Sequence, residues 1–298
     1  MIIMKLMGGL GNQMFQYSLG RKLSLINNDI LKLDILDYQN DIHKIKREYK
    51  LKYFNIIENI ATSDEIEKLK NKYFSKNLIF SKTLNKILDK LNIRPKTYIK
   101  EKFTNRFDPE IFNLKGNVYL EGYWQNEKYF YDIRGVLLKE FTLKYEPSKK
   151  FYELLTQIQA TQAVAMHIRG GDYIRDRETA HFHGVLPINY YIKAIEILKS
   201  KLNNPFFYIF SDDLEYANTI LEKLKINCYL VSQFNLPDYE ELVLMSKFKY
   251  FVIANSSFSW WGAWLSNFPD KIVIAPRIWF NNRKMRDINV AVESWIKI

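Results

Sequence analysis

The chain has 298 residues, 47% of them hydrophobic and 26% charged, which is enough apolar sequence for one large domain or two medium ones and excludes a largely disordered protein. Its formal net charge of +11 either favours an anionic partner or serves only solubility, so nucleotide diphosphates, anionic lipids and nucleic acids all stay open. The single cysteine, Cys228, excludes an internal disulfide bond and a cysteine-based metal cluster.

The chain begins with a short apolar strand, a glycine turn and a helix, in the sequence MIIMKLMGGLGNQMFQYSLGRKLS. The apolar run is too short for a secretory signal, and no run in the sequence approaches the ~18 apolar residues of a membrane span, so we expect a cytoplasmic protein. Gly9 and Gly11 let the backbone approach a ligand, and the N–H groups at the helix start favour an anion. Asn12 adds an amide that can bind a hydroxyl or phosphate oxygen. A tight turn capped by Asn12 explains the same residues equally well.

Residues 41–102 are rich in lysine and poor in glycine, which favours helices. The sequence Thr62-Ser63-Asp64-Glu65 predicts a capping box at the start of one helix. A second helix is predicted after Ser81, with an apolar stripe opposite a lysine face. That basic amphipathic helix either packs on its own domain or lies on an anionic membrane.

A strand predicted over residues 118–120 leads into the polar and aromatic sequence EGYWQ. Its last three residues, Tyr123, Trp124 and Gln125, are candidates for binding a sugar, although Trp124 is equally suited to a core. Pro147 and Ser148 then indicate a linker. We place the domain boundary there, which gives domains 1–148 and 149–298, with the possibility open that the last helix of the chain returns to the first domain.

The sequence AVAMHIRGGDY predicts a buried strand that ends in a turn at Gly170 and Gly171, two residues able to adopt a positive φ. His167, Arg169 and Asp172 meet at its carboxyl end, where the ligands of α/β sheets bind. The planar guanidinium of an arginine suits a phosphate or a diphosphate. A strand whose last polar residues merely meet solvent is the alternative.

Helices and strands alternate in the rest of the chain, which predicts a parallel sheet covered by helices on both faces. Residues 175–184 are predicted to be a polar loop, and its two histidines, His181 and His183, have no nearby carboxylate in the pattern of a metal site. Ser211 or Asp212 is the expected N-cap of the helix that follows the strand over 206–210. After the strand over 250–254, a predicted helix carries the tryptophans Trp260, Trp261 and Trp264, which we expect to pack in the core.

Asn255, Ser256 and Ser257 precede or open that aromatic helix. Hydroxyl groups and backbone N–H groups at a helix start can hold a phosphate, so we expect the two serines to contribute to an anion site. An arrangement that only caps the helix is the other interpretation.

Three ordered motifs carry a family resemblance: GGLGNQMFQYSLG at 8–20, HIRGGDY at 167–173 and ANSSFSWWGAWL at 254–265. Together with GYWQNEKYF at 122–130, they resemble the bacterial α-1,2-fucosyltransferases of glycosyltransferase family 11. The resemblance extends from residue 3 to about residue 280. The chain departs from the family at Gly170, where the family has a second arginine.

The resemblance implies an α/β protein with two Rossmann-like domains facing a cleft, the GT-B type. It implies an inverting transfer of L-fucose from GDP-fucose to the 2-hydroxyl of a terminal galactose, without a cofactor or metal. An Asp-x-Asp pair, which holds the metal in many such enzymes, occurs nowhere in the sequence. Arg169 with helix N–H groups would then stabilise the leaving diphosphate.

The expected roles are assigned by motif. The expected catalytic residues are Arg169, Asp172 and Asn12, with Asp172 either a base or a partner that orients Arg169. The expected donor-binding residues are Gly9, Gly11, Asn12, Gln13, His167, Arg169, Asp212, Asn255, Ser256 and Ser257. The expected acceptor-binding residues are Tyr123, Trp124 and Gln125. The substitution Gly170→Arg is expected to raise activity or leave it unchanged, unless Gly170 adopts a positive φ.

The expected partners are GDP-fucose and a galactose-terminated oligosaccharide. A lipid link on that oligosaccharide and a peripheral contact with the inner face of the membrane are left open. No nucleic-acid partner is expected, because the excess charge is mostly lysine spread over predicted helices. The alternatives are another nucleotide-sugar donor or linkage on the same fold, and a protein that binds anions or nucleic acids without catalysis.

Overall fold

The computed structural model describes residues 1–39, 47–71, 96–102 and 105–298, which form two compact units, Met1–Phe141 and Thr142–Ile298. The lysine-rich helix predicted after Ser81 lies outside these residues. Within the described ranges, none of the helices combines the length and the apolar character needed to cross a bilayer.

The first unit contains a four-stranded parallel sheet with the order β2-β1-β4-β3. Its strands are β1 (Ile2–Lys5), β2 (Leu31–Asp34), β3 (Tyr98–Lys100) and β4 (Val118–Glu121). Its helices are α1 (Leu10–Asn27), α2 (Leu36–Gln39), α3 (Ser63–Lys70) and α4 (Arg134–Glu140).

Burial explains why this sheet forms. Ile2, Ile3 and Met4 of β1 are fully buried, as expected for a strand flanked by parallel neighbours and covered on both faces. The predicted capping box is confirmed, because the Thr62 hydroxyl accepts from the Glu65 N–H and the Glu65 carboxylate accepts from the Thr62 N–H.

The second unit contains a six-stranded parallel sheet with the order β10-β9-β8-β5-β6-β7. Its strands are β5 (Ala163–Ile168), β6 (Phe206–Ser211), β7 (Cys228–Leu230), β8 (Tyr250–Val252), β9 (Ile272–Ala275) and β10 (Ile296–Lys297). Its helices are α5 (Lys149–Gln159), α6 (Asp172–Arg175), α7 (Arg177–Phe182), α8 (Ile188–Lys199), α9 (Leu214–Leu224), α10 (Asp238–Met245) and α11 (Ser257–Leu265). The predicted α/β class with parallel sheets is therefore confirmed.

The core of the second unit centres on β5, all six residues of which are buried. The three tryptophans of α11 lie in the core as predicted, with Trp260 and Trp261 fully buried and Trp264 3% exposed. The indole N–H of Trp260 donates to the carbonyl of Val290 at 2.9 Å. A buried indole with a satisfied N–H stabilises the helix against the sheet.

Two predicted elements differ from the structure. The polar loop predicted over 175–184 contains helix α7, because the Asp176 carboxylate accepts from the Thr179 N–H at 2.8 Å and caps it. The chain ends in β10, which pairs with β9 in the sheet of the second unit, and not in a helix that returns to the first unit. A two-residue strand has too little periodicity to be predicted from its own sequence.

Candidate active site

Three neighbouring strands of the second unit end at the same edge of the sheet. Strands β6, β5 and β8 are adjacent and parallel, so the residues after them share one end of the sheet. Those residues are Arg169–Asp172 after β5, Asp212 after β6 and Asn255–Ser257 after β8. Because ligands of such sheets bind outside the carboxyl ends of the strands, this edge is the candidate donor site.

Arg169 is held by two carboxylates at this edge. Its Nη2 donates to Asp172, and its Nη1 lies 3.0 Å from Oδ2 of Asp212. Burial by itself lowers the pKa of this guanidinium, but the charges of Asp212, Tyr173 and Asp172 raise it above its ordinary value. Arg169 therefore keeps its positive charge at any working pH, with its side chain 17% exposed.

The turn after β5 depends on its two glycines for different reasons. Gly171 has a φ of +43°, and a Cβ built on it would lie 2.0 Å from Oδ2 of Asp212. Gly170 does not adopt a positive φ, but a Cβ there would lie 2.8 Å from the Cβ of Asp213 and 3.0 Å from Cδ1 of Tyr216. The absence of a side chain at residue 170 thus lets the start of α9 approach the turn.

The N-cap of α9 is Asp213, not Ser211 or Asp212 as predicted. The Asp213 carboxylate accepts from the Tyr216 N–H at 3.1 Å and also pairs with Arg175 at 2.8 Å. This leaves Asp212 outside the helix, where its Oδ1 accepts from the Gly170 N–H at 3.0 Å. The shift of the cap by one residue is what directs Asp212 toward Arg169.

Tyr173 lies against Arg169 and His183 stacks on Tyr173, and neither was among the predicted site residues. The guanidinium carbon is 4.8 Å from the ring centre of Tyr173, which stacks on the ring of His183 at 4.7 Å. The Tyr173 hydroxyl donates to the carbonyl of Asn255 at 3.1 Å and so links the ends of β5 and β8. Burial and Arg169 lower the pKa of His183 to about 4, although Asp172 opposes the shift, so His183 is neutral at pH 7. The position of Tyr173 in the HIRGGDY motif was the signal that could have identified it.

His167 lies below this edge and is 3% exposed. Burial, with a contribution from Arg169, lowers its pKa to about 3, so the imidazole is neutral. Among the described residues, no group makes a hydrogen bond to its Nδ1. Its ring lies 5.8 Å from that of Phe258 in the first turn of α11. The Nδ1 nitrogen is shielded from solvent, so the donor-binding role expected for His167 stays a prediction.

The three residues after β8 have different surroundings. Asn255 is 2% exposed, and its amide donates to the carbonyls of His183, Gly184 and Trp279 at 3.1 to 3.2 Å. Its amide nitrogen is therefore used to join three loops. Ser256 is the N-cap of α11, where its hydroxyl accepts from the Phe258 N–H at 3.4 Å. Ser257 is the first residue of the helix and half-buried, which leaves it the better candidate for an anion.

The glycine turn of the first unit opens helix α1. Gly9 is the N-cap, without a side-chain hydrogen bond, so Asn12 is not the cap. Asn12 lies in the first turn of the helix after the buried Gly11, and a Cβ built on Gly9 would lie 3.9 Å from Nη1 of Arg47. Gln13 is fully buried and bonds the backbone of Gly8, Glu48 and Lys50, which is a structural role. Arg47 therefore lies beside the glycine turn. The sequence analysis did not predict this position, because composition alone does not distinguish Arg47 from the other basic residues of its lysine-rich stretch.

The predicted acceptor residues follow β4 in the same unit. Gln125 Nε2 donates to Oδ1 of Asn12 at 2.7 Å, so the structure brings these two predicted residues together. Tyr123 is 38% exposed, whereas Trp124 is 1% exposed and packs against Tyr129. The ring of Trp124 therefore contributes to the core, and Tyr123 is the aromatic side chain open to solvent.

In the described part of the chain, groups of three or more histidine, cysteine, aspartate or glutamate side chains suited to a metal ion do not occur. Asp172 and Asp212 point at the same cation, the Arg169 guanidinium, which occupies the place between them. A guanidinium fixed by two carboxylates therefore lies at the edge of the sheet where ligands of α/β proteins bind.

The profile of glycosyl transferase family 11 matches residues 1–298, and the chain belongs to this family. An alpha-1,2-colitosyltransferase from Escherichia coli is 35% identical over 302 residues, which cover 100% of this chain and 98% of that protein. The O-antigen biosynthesis glycosyltransferase WbnK from Escherichia coli is 33% identical over 98% of this chain and 99% of its own. A galactoside 2-alpha-L-fucosyltransferase, Sec1 from Mus musculus, is 23% identical over 49% of this chain and 41% of its own.

Proposed function

We propose that this family 11 glycosyltransferase moves L-fucose from GDP-fucose to the 2-hydroxyl of a terminal galactose, with inversion and without a metal. The observation that carries the proposal is the half-buried Arg169, fixed by Asp172 and Asp212 at the carboxyl end of β5. A guanidinium with a permanent charge and a defined orientation is suited to a diphosphate leaving group. The named fucosyl and colitosyl transferases among the relatives support the class of donor.

The chemistry follows from where charge develops. The bond between the anomeric carbon and the diphosphate oxygen breaks, and the acceptor 2-oxygen bonds that carbon from the opposite face. Negative charge grows on the diphosphate, where Arg169 and the N–H groups at the start of α11 stabilise it. Asp172 is already paired with Arg169, so we give it the orienting role. The acceptor proton leaves late from an oxocarbenium-like transition state and passes to solvent.

The acceptor half of the proposal concerns the first unit. Gln125 donates to Asn12, the expected donor-side residue, beside the glycine turn, and Tyr123 offers a partly exposed ring. Amides that pair with hydroxyls, together with an aromatic ring, suit a pyranose acceptor. The GT-B arrangement, in which two Rossmann-like domains face a cleft, is part of this proposal and comes from the family resemblance.

GDP-colitose is a second candidate for the donor. The relative that is 35% identical over the whole chain is named a colitosyltransferase, and colitose is L-fucose without its 3-hydroxyl. The same diphosphate site would serve either sugar, because the two donors differ at one ring carbon. The donor could therefore be distinguished only by groups that contact the 3-position.

The proposed acceptor is an oligosaccharide of O-antigen biosynthesis. WbnK is named for O-antigen biosynthesis, which supports an oligosaccharide acceptor of that kind in the cytoplasm, whether free or lipid-linked. The net charge of +11 is compatible with a peripheral contact at an anionic membrane surface.

The experiment incubates the protein with GDP-fucose or GDP-colitose and a panel of galactose-terminated oligosaccharides. Release of GDP that depends on the acceptor, with an α-1,2 product by NMR, supports the function, and the ratio of kcat/KM values chooses the donor. Arg169→Ala should lower kcat by about 100-fold, since it removes a charge-assisted interaction made to the leaving group. Excess EDTA should leave the initial rate unchanged. Loss of activity in EDTA with rescue by Mg²⁺ or Mn²⁺ would overturn the metal-free mechanism, and no acceptor-dependent release from either donor would overturn the function.

A further inference from the structure

A carboxylate that the sequence analysis did not single out organises the turn after β4. Glu101 follows β3, the neighbour of β4 in the sheet. Its Oε1 accepts from the Asn105 N–H at 2.8 Å and from the Trp124 N–H at 3.2 Å. Its Oε2 accepts from the Tyr123 N–H at 2.8 Å. One side chain thus satisfies three backbone donors of two chain segments.

The backbone of this turn depends on that carboxylate. Trp124 has a φ of +56°, a conformation that costs a bulky residue roughly 1 kcal/mol or more unless its surroundings hold it. The bonds from Glu101 to the N–H groups of Tyr123 and Trp124 act on the two residues that set this conformation. The carbonyl of Trp124 then accepts from the Asn126 N–H at 2.8 Å, which closes the turn.

Close approach of the two segments requires a glycine. A Cβ built on Gly122 would lie 2.4 Å from the Cβ of Glu101 and 2.9 Å from its Oε2. The carbonyl of Gly122 also accepts from the buried side chain of Gln16 at 3.0 Å. Gly122 therefore permits the contact that brings the Glu101 carboxylate to the turn.

The turn determines where three consecutive side chains lie. Trp124 is buried, Tyr123 is 38% exposed, and Gln125 reaches Asn12 at 2.7 Å. A relaxed backbone at residue 124 would rotate the peptides on both sides of it. Tyr123 and Gln125 would then no longer be presented together beside the glycine turn.

We propose that Glu101 is a positioning residue for the acceptor, which holds Tyr123 and Gln125 where they contact the hydroxyl groups and ring of a sugar. This inference rests on the proposed function and adds a residue to it. Glu101 acts through the backbone and does not itself touch the acceptor. A glutamine in its place has only one oxygen that can accept a hydrogen bond, and its NH₂ group would face at least one of the backbone N–H groups. The three hydrogen bonds therefore cannot all form.

The test compares Glu101→Gln and Gly122→Ala with the wild-type protein. Each should raise the KM for the sugar acceptor about tenfold, which is the effect expected when one hydrogen bond to a carboxylate is lost. The KM for the nucleotide-sugar donor should change by no more than about twofold. The double variant should be no worse than the single ones, because both changes remove the same contact. Hydrogen exchange of the peptide over residues 121–126 should become faster in both.

Two matched controls come from the same unit. Glu65→Gln alters a carboxylate that also accepts from a backbone N–H, that of Thr62, but at the start of α3. Gly135→Ala adds a methyl group where the structure has open space. Neither should change the acceptor KM or the exchange of residues 121–126.

Equal increases in both KM values, or unchanged exchange over 121–126, would overturn the positioning role. Failure of the wild-type protein to transfer either sugar would overturn the proposed function and the acceptor role together. The exchange data would still show in that case whether Glu101 holds the turn, so the two failures are distinguishable.

Discussion

Asp212 is paired with Arg169 through a contact of 3.0 Å between Oδ2 and Nη1, and its other oxygen accepts from the Gly170 N–H. A donor diphosphate therefore meets a guanidinium that is already oriented by carboxylates. The pairing reduces the entropy lost when the donor binds, since the guanidinium is held before the donor arrives.

We predict that Asp212→Asn lowers kcat about tenfold with little change in thermal stability. The asparagine oxygen can still accept from Gly170, but the charge that orients Arg169 toward the leaving group is lost. Steady-state kinetics beside thermal melts measure both effects. Asp213→Asn is the matched control, because it keeps the helix cap and loses only the pair with the exposed Arg175. An Asp212→Asn enzyme with normal kcat would show that Arg169 needs no such partner.

Substitution of Gly170 should destabilise the protein, which corrects the expectation that arginine is tolerated there. A Cβ at residue 170 would lie 2.8 Å from the Cβ of Asp213, so the start of α9 must move. We expect Gly170→Ala to lower the free energy of unfolding by about 1–3 kcal/mol, as overpacking does, and Gly170→Arg to lower it at least as much. Urea denaturation measures this. A Gly170→Arg variant as stable as the wild type would mean that the segment adjusts without cost.

The two serines at the start of α11 should respond differently. Ser256→Ala removes the N-cap and should cost about 1 kcal/mol of stability. Ser257→Ala should leave stability unchanged and reduce transfer, with a loss of up to about 100-fold if its hydroxyl bonds the leaving group in the transition state. Melting curves and kcat values for the two variants separate cap from ligand. A Ser257→Ala enzyme that melts early and turns over normally would contradict the assignment.

Glu241 should make the protein less stable as pH rises toward neutrality. Burial, opposed by a hydrogen bond from Ser232 and helped by Asp238, raises the pKa of Glu241 to about 7. The folded state then holds this proton more tightly than the unfolded chain, so stability is lost as pH rises from about 4.5 to about 7. Glu241→Gln should relieve at most about 3 kcal/mol of this loss at pH 8. Urea denaturation at pH 5 and pH 8 measures the free energy of unfolding of both proteins. A Glu241→Gln variant no more stable than the wild type at pH 8 would contradict this prediction.

His167 should make the protein less stable as pH falls. Its folded pKa of about 3 lies below the ordinary value of 6.5, so its contribution is complete above pH 6.5 and declines as pH falls toward 3. The slope is about 1.4 kcal/mol per pH unit for one buried neutral histidine. We expect His167→Asn to show a smaller loss between pH 7 and pH 5 than the wild type. Equal losses in the two proteins would mean that His167 does not titrate with unfolding.

The sequence by itself determined the elements whose signals are local. Residues 163–168 are a strand as predicted, because a short apolar run that ends in two glycines is a property of neighbouring residues. The capping box at Thr62 and Glu65 was equally readable, since both partners lie within one turn. The order of three motifs also sufficed to indicate the family to which the chain belongs.

Only the tertiary structure decided how distant segments meet. The choice of Asp213 over Asp212 as the cap, and the lack of room at Gly170, depend on the approach of α9 to the turn after β5. The hold of Glu101 on Trp124, 23 residues away, depends on two adjacent strands. Local sequence sets the preference of each segment, but a hydrogen bond or a clash between segments exists only once the sheet has set their distance.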